Sequence, residues 1–255
     1  MSRLFYDPKN KARNFADYTA IYEVMAKYYQ GVEEAKLDLL DEVFHVNWAM
    51  RDNDVPARNQ IQVEDKQAFI QRVRQHGPYQ DYAADRRLAR IEVQDEGWAF
   101  VQITKTTSGN STLFFLLKRG KEWTILDKIW VITTVDAQAN DEESLGYPVI
   151  EKLLNTYQDG IQTQHDQYLQ QILDEKWDSK VLDTYGKLQQ TSRSSFFENL
   201  DQIRAGLGEI KSINIYQSSL AIVQVESHEA DFISFIILFY LEGAWKIASE
   251  RSVSK

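Results

Sequence analysis

The sequence contains no cysteine. That excludes disulfides, thiolate nucleophiles and cysteine-based metal sites, and it fits a reducing compartment. Histidine is scarce: His45, His76, His165 and His228 are scattered, with no second histidine at helical ligand spacing. Zinc needs three or four convergent ligands, so no metal site and no cofactor are expected. Basic charge is also short, with 29 Lys and Arg against 38 Asp and Glu, a formal net charge of −9 and a pI near 5.1. A phosphate backbone would be repelled, so no nucleic-acid partner is expected. Long apolar runs are missing as well. The most apolar stretch, Phe232 to Leu241, is ten residues, too short for a bilayer-crossing helix, and reads as a strand buried on both faces. The opening MSRLFYDPKNKARNF carries charges where a secretion signal needs an unbroken apolar core. The expectation is a cytoplasmic protein with no membrane partner.

What the chain does have is a repeat, the first thing to look for in any sequence. Adding 129 to Ile21, Tyr28, Gly31 and Trp48 gives Ile150, Tyr157, Gly160 and Trp177 without a gap. Later the offset becomes 122, which carries Ala99 to Ala221, Val101 to Val223 and Trp123 to Trp245. Seven residues are therefore lost between Trp177 and the closing segment, the kind of change surface loops absorb. A length of 255 residues suits two ordinary domains. The boundaries read as 1–134 for the first, 135–146 for an acidic linker (VDAQANDEESLG from Val135) and 147–255 for the second.

Each half runs in the same order. Tyr18, Ile21, Tyr22, Met25, Tyr28, Tyr29 and Val32 share one stripe of a helix. Leu37, Leu40, Val43 and Phe44 mark a second, short helix. Trp48 and Met50 alternate with polar residues in a short strand that ends in the turn-rich Asp52-Asn53-Asp54-Val55-Pro56. A third helix is expected over Glu64 to Gln75, stopped by Gly77-Pro78. From Leu88 the period drops to two, giving four strands joined by short turns, hence an antiparallel meander. In the second half Pro148 suits a first helical turn, and Ser195 and Glu198 have capping-box spacing, although that helix could begin a few residues earlier.

Three helices, a short strand between the second and third, and a four-stranded meander resemble the nuclear transport factor 2-like superfamily. Within it the first half is most similar to the SnoaL-like and lumazine-binding-like proteins. The matching words are Tyr28-Tyr29-Gln30-Gly31, Val43-Phe44-His45-Val46-Asn47-Trp48 and the closing hairpin from Leu113 to Lys128. The resemblance implies an α+β protein of two tandem cystatin-like cone domains, each with three helices and a curved antiparallel sheet. It also implies a small apolar or aromatic ligand inside the first cone. Sheets of this superfamily commonly pack face to face, so an intramolecular pseudo-dimer of the halves, and a homodimer of chains, are further expectations.

The resemblance extends to ketosteroid isomerase, whose tyrosine position falls on Tyr28 and whose base position falls on Asp52; the position of its second oxyanion donor falls on Leu113. The second half keeps Tyr157 but has Val181 at the base position. The catalytic candidates are thus Asp52 and Tyr28, in an isomerase, dehydratase or cyclase acting on a cyclic apolar substrate. Asp52 would take the proton and Tyr28 would hold the oxyanion. Against this, Asp52 also reads as turn chemistry and Tyr28 as core packing with a satisfied hydroxyl. Trp48, His45 and Tyr22 are the ligand-contact candidates. Trp48 also reads as packing, and His45 as a helix-terminal or surface residue.

Overall fold

The computed structural model describes residues 15–53, 60–94, 97–130, 146–183, 187–202, 208–216, 219–227 and 231–254. They form two compact units. The first contains α1 (Phe15–Glu33), α2 (Leu37–Val43), β1 (Phe44–Asn53), β2 (Ile61–Asp65), α3 (Lys66–His76), β3 (Arg86–Gln94), β4 (Trp98–Lys105), β5 (Ser111–Arg119) and β6 (Glu122–Trp130). The second repeats it with α4 (Tyr147–Gln162), α5 (Asp166–Ile172), β7 (Leu173–Leu182), β8 (Leu188–Ser192), α6 (Arg193–Glu198), β9 (Glu209–Tyr216), β10 (Leu220–Ser227), β11 (Phe232–Leu241) and β12 (Ala244–Ser254). The protein is α+β, with two tandem units of like element order. Of the expected linker only Gly146 lies within the described residues, as the N-cap of α4.

Each sheet has six strands, in the order β2-β1-β6-β5-β4-β3 and β8-β7-β12-β11-β10-β9. The expected meander is there, antiparallel throughout β3 to β6 and β9 to β12. The addition is β1, which lies parallel on β6, as β7 lies parallel on β12. The short β2 and β8 complete the far edge of each sheet. Asp52 therefore sits in β1, opposite Trp130, and not in a turn; the turn sequence after Asn53 lies outside the described residues. At α6 the cap is Ser192, whose hydroxyl accepts the Ser195 N–H at 3.2 Å.

The helices are held by their apolar stripes. Ile21, Met25, Tyr28 and Val32 on α1 are buried against the sheet, and Ile150, Leu154, Tyr157 and Ile161 do the same from α4. Each such side chain contributes about 1.5–3 kcal/mol on burial. Gly31 and Gly160 let the second helix cross closely. A Cβ at Gly31 would lie 2.7 Å from Leu40 Cδ2, and one at Gly160 would lie 2.8 Å from Leu169 Cδ2. Trp48 packs edge-on to Phe69 with ring centroids 5.0 Å apart, and Trp177 meets Phe196 at 4.9 Å.

One irregularity fixes which side chains enter the interior. Leu116 pairs with Ile125 but Phe115 pairs with Asp127, so Leu126 is an extra residue in β6. Such a bulge reverses the alternation beyond it. Lys128, opposite the core residue Phe114, faces inward, while Asp127 faces the other side of the sheet. There Asp127 pairs with Arg51 of β1, Nη1 to Oδ1 at 3.0 Å, both side chains buried. Ala248 plays the part of Leu126 in β12, and it turns Glu250 inward opposite Ile236.

Candidate functional site

Tyr28 lies on the inner face of α1, three residues before Gly31. It is fully buried, with its ring edge-on to Phe114 at 5.2 Å and tilted on Phe44 at 5.9 Å. Its hydroxyl reaches the hydroxyl of Tyr82 at 3.1 Å. Tyr82 comes from the irregular segment between α3 and β3, which is clipped to the end of α1. The Tyr79 N–H donates to the Val32 carbonyl at 3.3 Å, and the Ala83 N–H donates to Glu33 Oε1 at 2.8 Å. Arg86 then closes over Tyr82: its guanidinium donates to the Tyr82 carbonyl and stacks 3.9 Å from the ring centroid.

Lys128 enters the same space from β6. It is 5% exposed, and its ammonium donates to the Tyr82 hydroxyl at 3.3 Å. Around it stand the rings of Phe69, Tyr28 and Trp130, with centroids 5.6, 5.7 and 5.8 Å from Nζ. Such contacts return part of the hydration lost on burial. No carboxylate among the described residues lies within ion-pair distance of this ammonium. A buried charge without a counter-charge costs several kcal/mol. Trp130, 36% exposed, stands at the edge of the cluster.

The cation orders the two phenols. Burial, with the neighbouring phenols, holds the Tyr28 hydroxyl well above the ordinary tyrosine range. At Tyr82 burial acts in the same direction, but the Lys128 ammonium, the Tyr28 hydroxyl and Arg86 outweigh it, and the phenol sits below its usual value. Tyr28 is therefore a persistent proton donor and Tyr82 the phenol that ionises first.

The other expected site residues are distributed around this cluster. Asp52, half-buried, faces inward two positions beyond Met50, and Met50 is the register partner of Lys128. Asp52 and Lys128 thus share one face of two adjacent strands. Trp48 is buried, stacked on Phe44 at 4.3 Å, and its indole N–H has no acceptor among the described residues. His45 is buried and accepts the Asn47 N–H at Nδ1, 3.0 Å away, which places its own proton on Nε2. Tyr22 is 43% exposed and takes no part in the ring cluster. Leu113, at the position of the absent oxyanion donor, lies on the outward face opposite Ile129. Tyr82 and Lys128 were not among the sequence candidates.

In the second unit the same place is built differently. Tyr157 repeats Tyr28, and burial together with the Glu250 carboxylate holds its hydroxyl well above the ordinary range. Glu250 occupies the register position of Lys128. Its carboxylate accepts from Tyr157 at 3.2 Å, from Ser234 at 3.0 Å and from Ser252 at 3.1 Å. This charge is answered by the unit's own hydroxyls. Among the described residues no group of three or more His, Asp or Glu could hold a metal ion, and no helix is long and apolar enough to cross a membrane.

Comparison with known proteins gives one family model, described as "Putative lumazine-binding", which matches twice, over residues 16–131 and 147–251. Among solved structures, an NTF2-like protein of unknown function from Shewanella baltica OS155 is 23% identical, with 45% of this chain and 91% of that one covered and a TM-score of 0.38. A second NTF2-like protein of unknown function, from Methylobacillus flagellatus KT, is 20% identical over 48% of this chain and 95% of its own, with a TM-score of 0.39. A protein of unknown function with a cystatin-like fold from Nostoc punctiforme PCC 73102 is 9% identical over 49% and 97%, with a TM-score of 0.32. No curated protein matches the chain.

Proposed function

Because the chain belongs to the family described as "Putative lumazine-binding", once in each half, we propose that it is a small-molecule-binding protein whose ligand occupies the first unit at the Tyr28–Tyr82–Lys128 cluster. The observation that carries this reading is the unequal treatment of two inward-facing charges, the half-buried Glu250 and the buried Lys128. Glu250 is saturated by three hydroxyls of its own unit, whereas Lys128 has one phenol and three ring faces. Trp130, partly open beside it, gives an aromatic ligand a surface to stack on.

The test is thermal denaturation and calorimetry of the full chain with planar heteroaromatic compounds, lumazine first. A ligand at a hundred times its Kd stabilises by about 2.7 kcal/mol. Tyr82→Ala and Trp130→Ala should weaken that ligand, and Ser234→Ala in the second unit should not. A ligand that ignores both first-unit changes would refute the assignment.

A second reading is supported by Asp52 sharing its strand face with Lys128 and by the firmly protonated Tyr28. In an acid–base isomerase, dehydratase or cyclase, the Asp52 carboxylate takes a proton from carbon. The oxyanion that forms is held by the Tyr28 hydroxyl. Exchange of that carbon's hydrogen for solvent deuterium, followed by NMR and lost in Asp52→Asn, separates an enzyme from a carrier.

A further inference from the structure

The charge inside the first unit says what class of molecule belongs there, given the binding reading above, on which this step rests. We propose that the ligand is a planar organic anion, its ionised oxygen on the Lys128 ammonium and the neighbouring tyrosine hydroxyls, its ring system among Tyr28, Phe69 and Trp130.

Four observations converge. An ammonium has three donors, and the only described acceptor for Lys128 is the Tyr82 hydroxyl at 3.3 Å. With 5% exposure, bulk water is a poor substitute for the rest. Second, a further cation stands beside the phenols, the Arg86 guanidinium 3.9 Å from the Tyr82 ring, with Asp85 as its counter-charge at 3.2 Å. A cationic ligand would meet the uncompensated Lys128 ammonium as a like charge; an anion meets it as an opposite one. Third, three aromatic rings lie at nearly equal distances, 5.6 to 5.8 Å, from the same nitrogen. A flat ligand that puts its oxygen on Nζ thereby brings its ring against theirs. Fourth, the second unit shows how this fold answers an inward-facing charge when it answers it internally: Glu250, half-buried, has Tyr157, Ser234 and Ser252. At the position matching Ser252 the first unit has Trp130, and at that matching Ser234 it has Thr112. At the position of Glu250 the first unit has a charge of the opposite sign and, beside it, a ring in place of a hydroxyl, an arrangement that suits an aromatic acid.

The experiment compares benzoate and 2-naphthoate with their uncharged amides, by calorimetry at pH 7 on the full chain, the Lys128→Met variant and the charge-keeping Lys128→Arg variant. The acid should bind the unaltered protein at least about tenfold more tightly than its amide. That preference should vanish in Lys128→Met and survive in Lys128→Arg. Amides that bind as well as acids, or a preference that outlives Lys128→Met, overturn the anion assignment while leaving a ligand-binding unit. If neither acids, amides nor lumazine bind the unaltered protein, the anion assignment and the binding reading fall together. Should Lys128→Met not fold, the acid-against-amide ratio on the unaltered protein and on Lys128→Arg decides alone.

Discussion

The two units place opposite charges at one register position of the same sheet. Lys128 pairs across from Met50, and Glu250 pairs across from Ser179. On the outward face a second reversal occurs: Arg51 of β1 holds Asp127 of β6 at 3.0 Å, while Asp178 of β7 holds Arg251 of β12 at 3.0 Å. The outward reversal conserves a bond, since either order gives a buried ion pair. The inward reversal does not, because Tyr157 donates directly to the Glu250 carboxylate, whereas Lys128 donates to Tyr82, whose hydroxyl in turn bonds Tyr28. Tyr82 comes from 66–85, the connection from β2 to β3, which is four residues longer than 193–208 in the second unit. It is this longer connection, beyond its helix, that delivers Tyr82. A duplicated skeleton has thus been closed in one copy and left wanting a counter-charge in the other.

The shared skeleton can be broken symmetrically. Trp48→Ala and Trp177→Ala should each cost about 3–5 kcal/mol, since each removes a large buried ring from an equivalent contact. Urea denaturation should return the two losses within about 1 kcal/mol of one another; a loss confined to one variant would deny that the skeleton is common. Gly31→Ala and Gly160→Ala come next, at about 1–3 kcal/mol each, because the added methyl meets Leu40 or Leu169.

The sharper contrasts are smaller. Tyr157→Phe strips a hydrogen bond from a half-buried carboxylate and should cost about 1.5–3 kcal/mol; Tyr28→Phe, which loses a bond to a neutral phenol, should cost about 0.5–1.5 kcal/mol. Both changes should also flatten the alkaline limb of the stability curve. The two phenols are held above the ordinary 10.0 in the folded protein. Above that pH the unfolded chain has lost these protons and the folded chain keeps them, so stability is complete below pH 10 and falls as pH rises beyond it. Each Phe variant should remove up to about 1.4 kcal/mol per pH unit of that slope. Last, Lys128→Met should change stability by less than about 1 kcal/mol or raise it, as a buried charge gives way to an apolar chain of similar length, whereas Glu250→Leu should destabilise by leaving three hydroxyls without their acceptor.

Much of this architecture is legible in the residues. The stripe from Ile21 to Val32, the recurrence of Trp48 as Trp177 and the period-two segments after Leu88 express packing, and packing leaves periodic traces. The strands β2 and β8 escaped notice because Gln189-Gln190-Thr191 and its counterpart are short and half-polar. The parallel seating of β1 on β6 leaves no local trace at all. Lys128 was hidden by the bulge: counting alternately from Trp123 and Ile125 turns Asp127 inward and Lys128 out, and the extra Leu126 reverses them. Tyr82 was hidden because it lies in a stretch with no period, held by backbone bonds to the end of α1. A lysine inside an otherwise apolar run, Ile125-Leu126-Asp127-Lys128-Ile129, was the one available signal.

The seating of β1 beside the last strand has a consequence during synthesis. Arg51 and Asp127 are 76 residues apart, and Arg251 and Asp178 are 73 apart. While the ribosome is still adding the hairpin that ends at Trp130, β1 has no neighbour on that side, and an unpaired strand edge invites association with other nascent chains. Each unit is therefore completed only when its final strand emerges, and a message truncated just short of Glu122 should yield insoluble product instead of a soluble first unit lacking one strand.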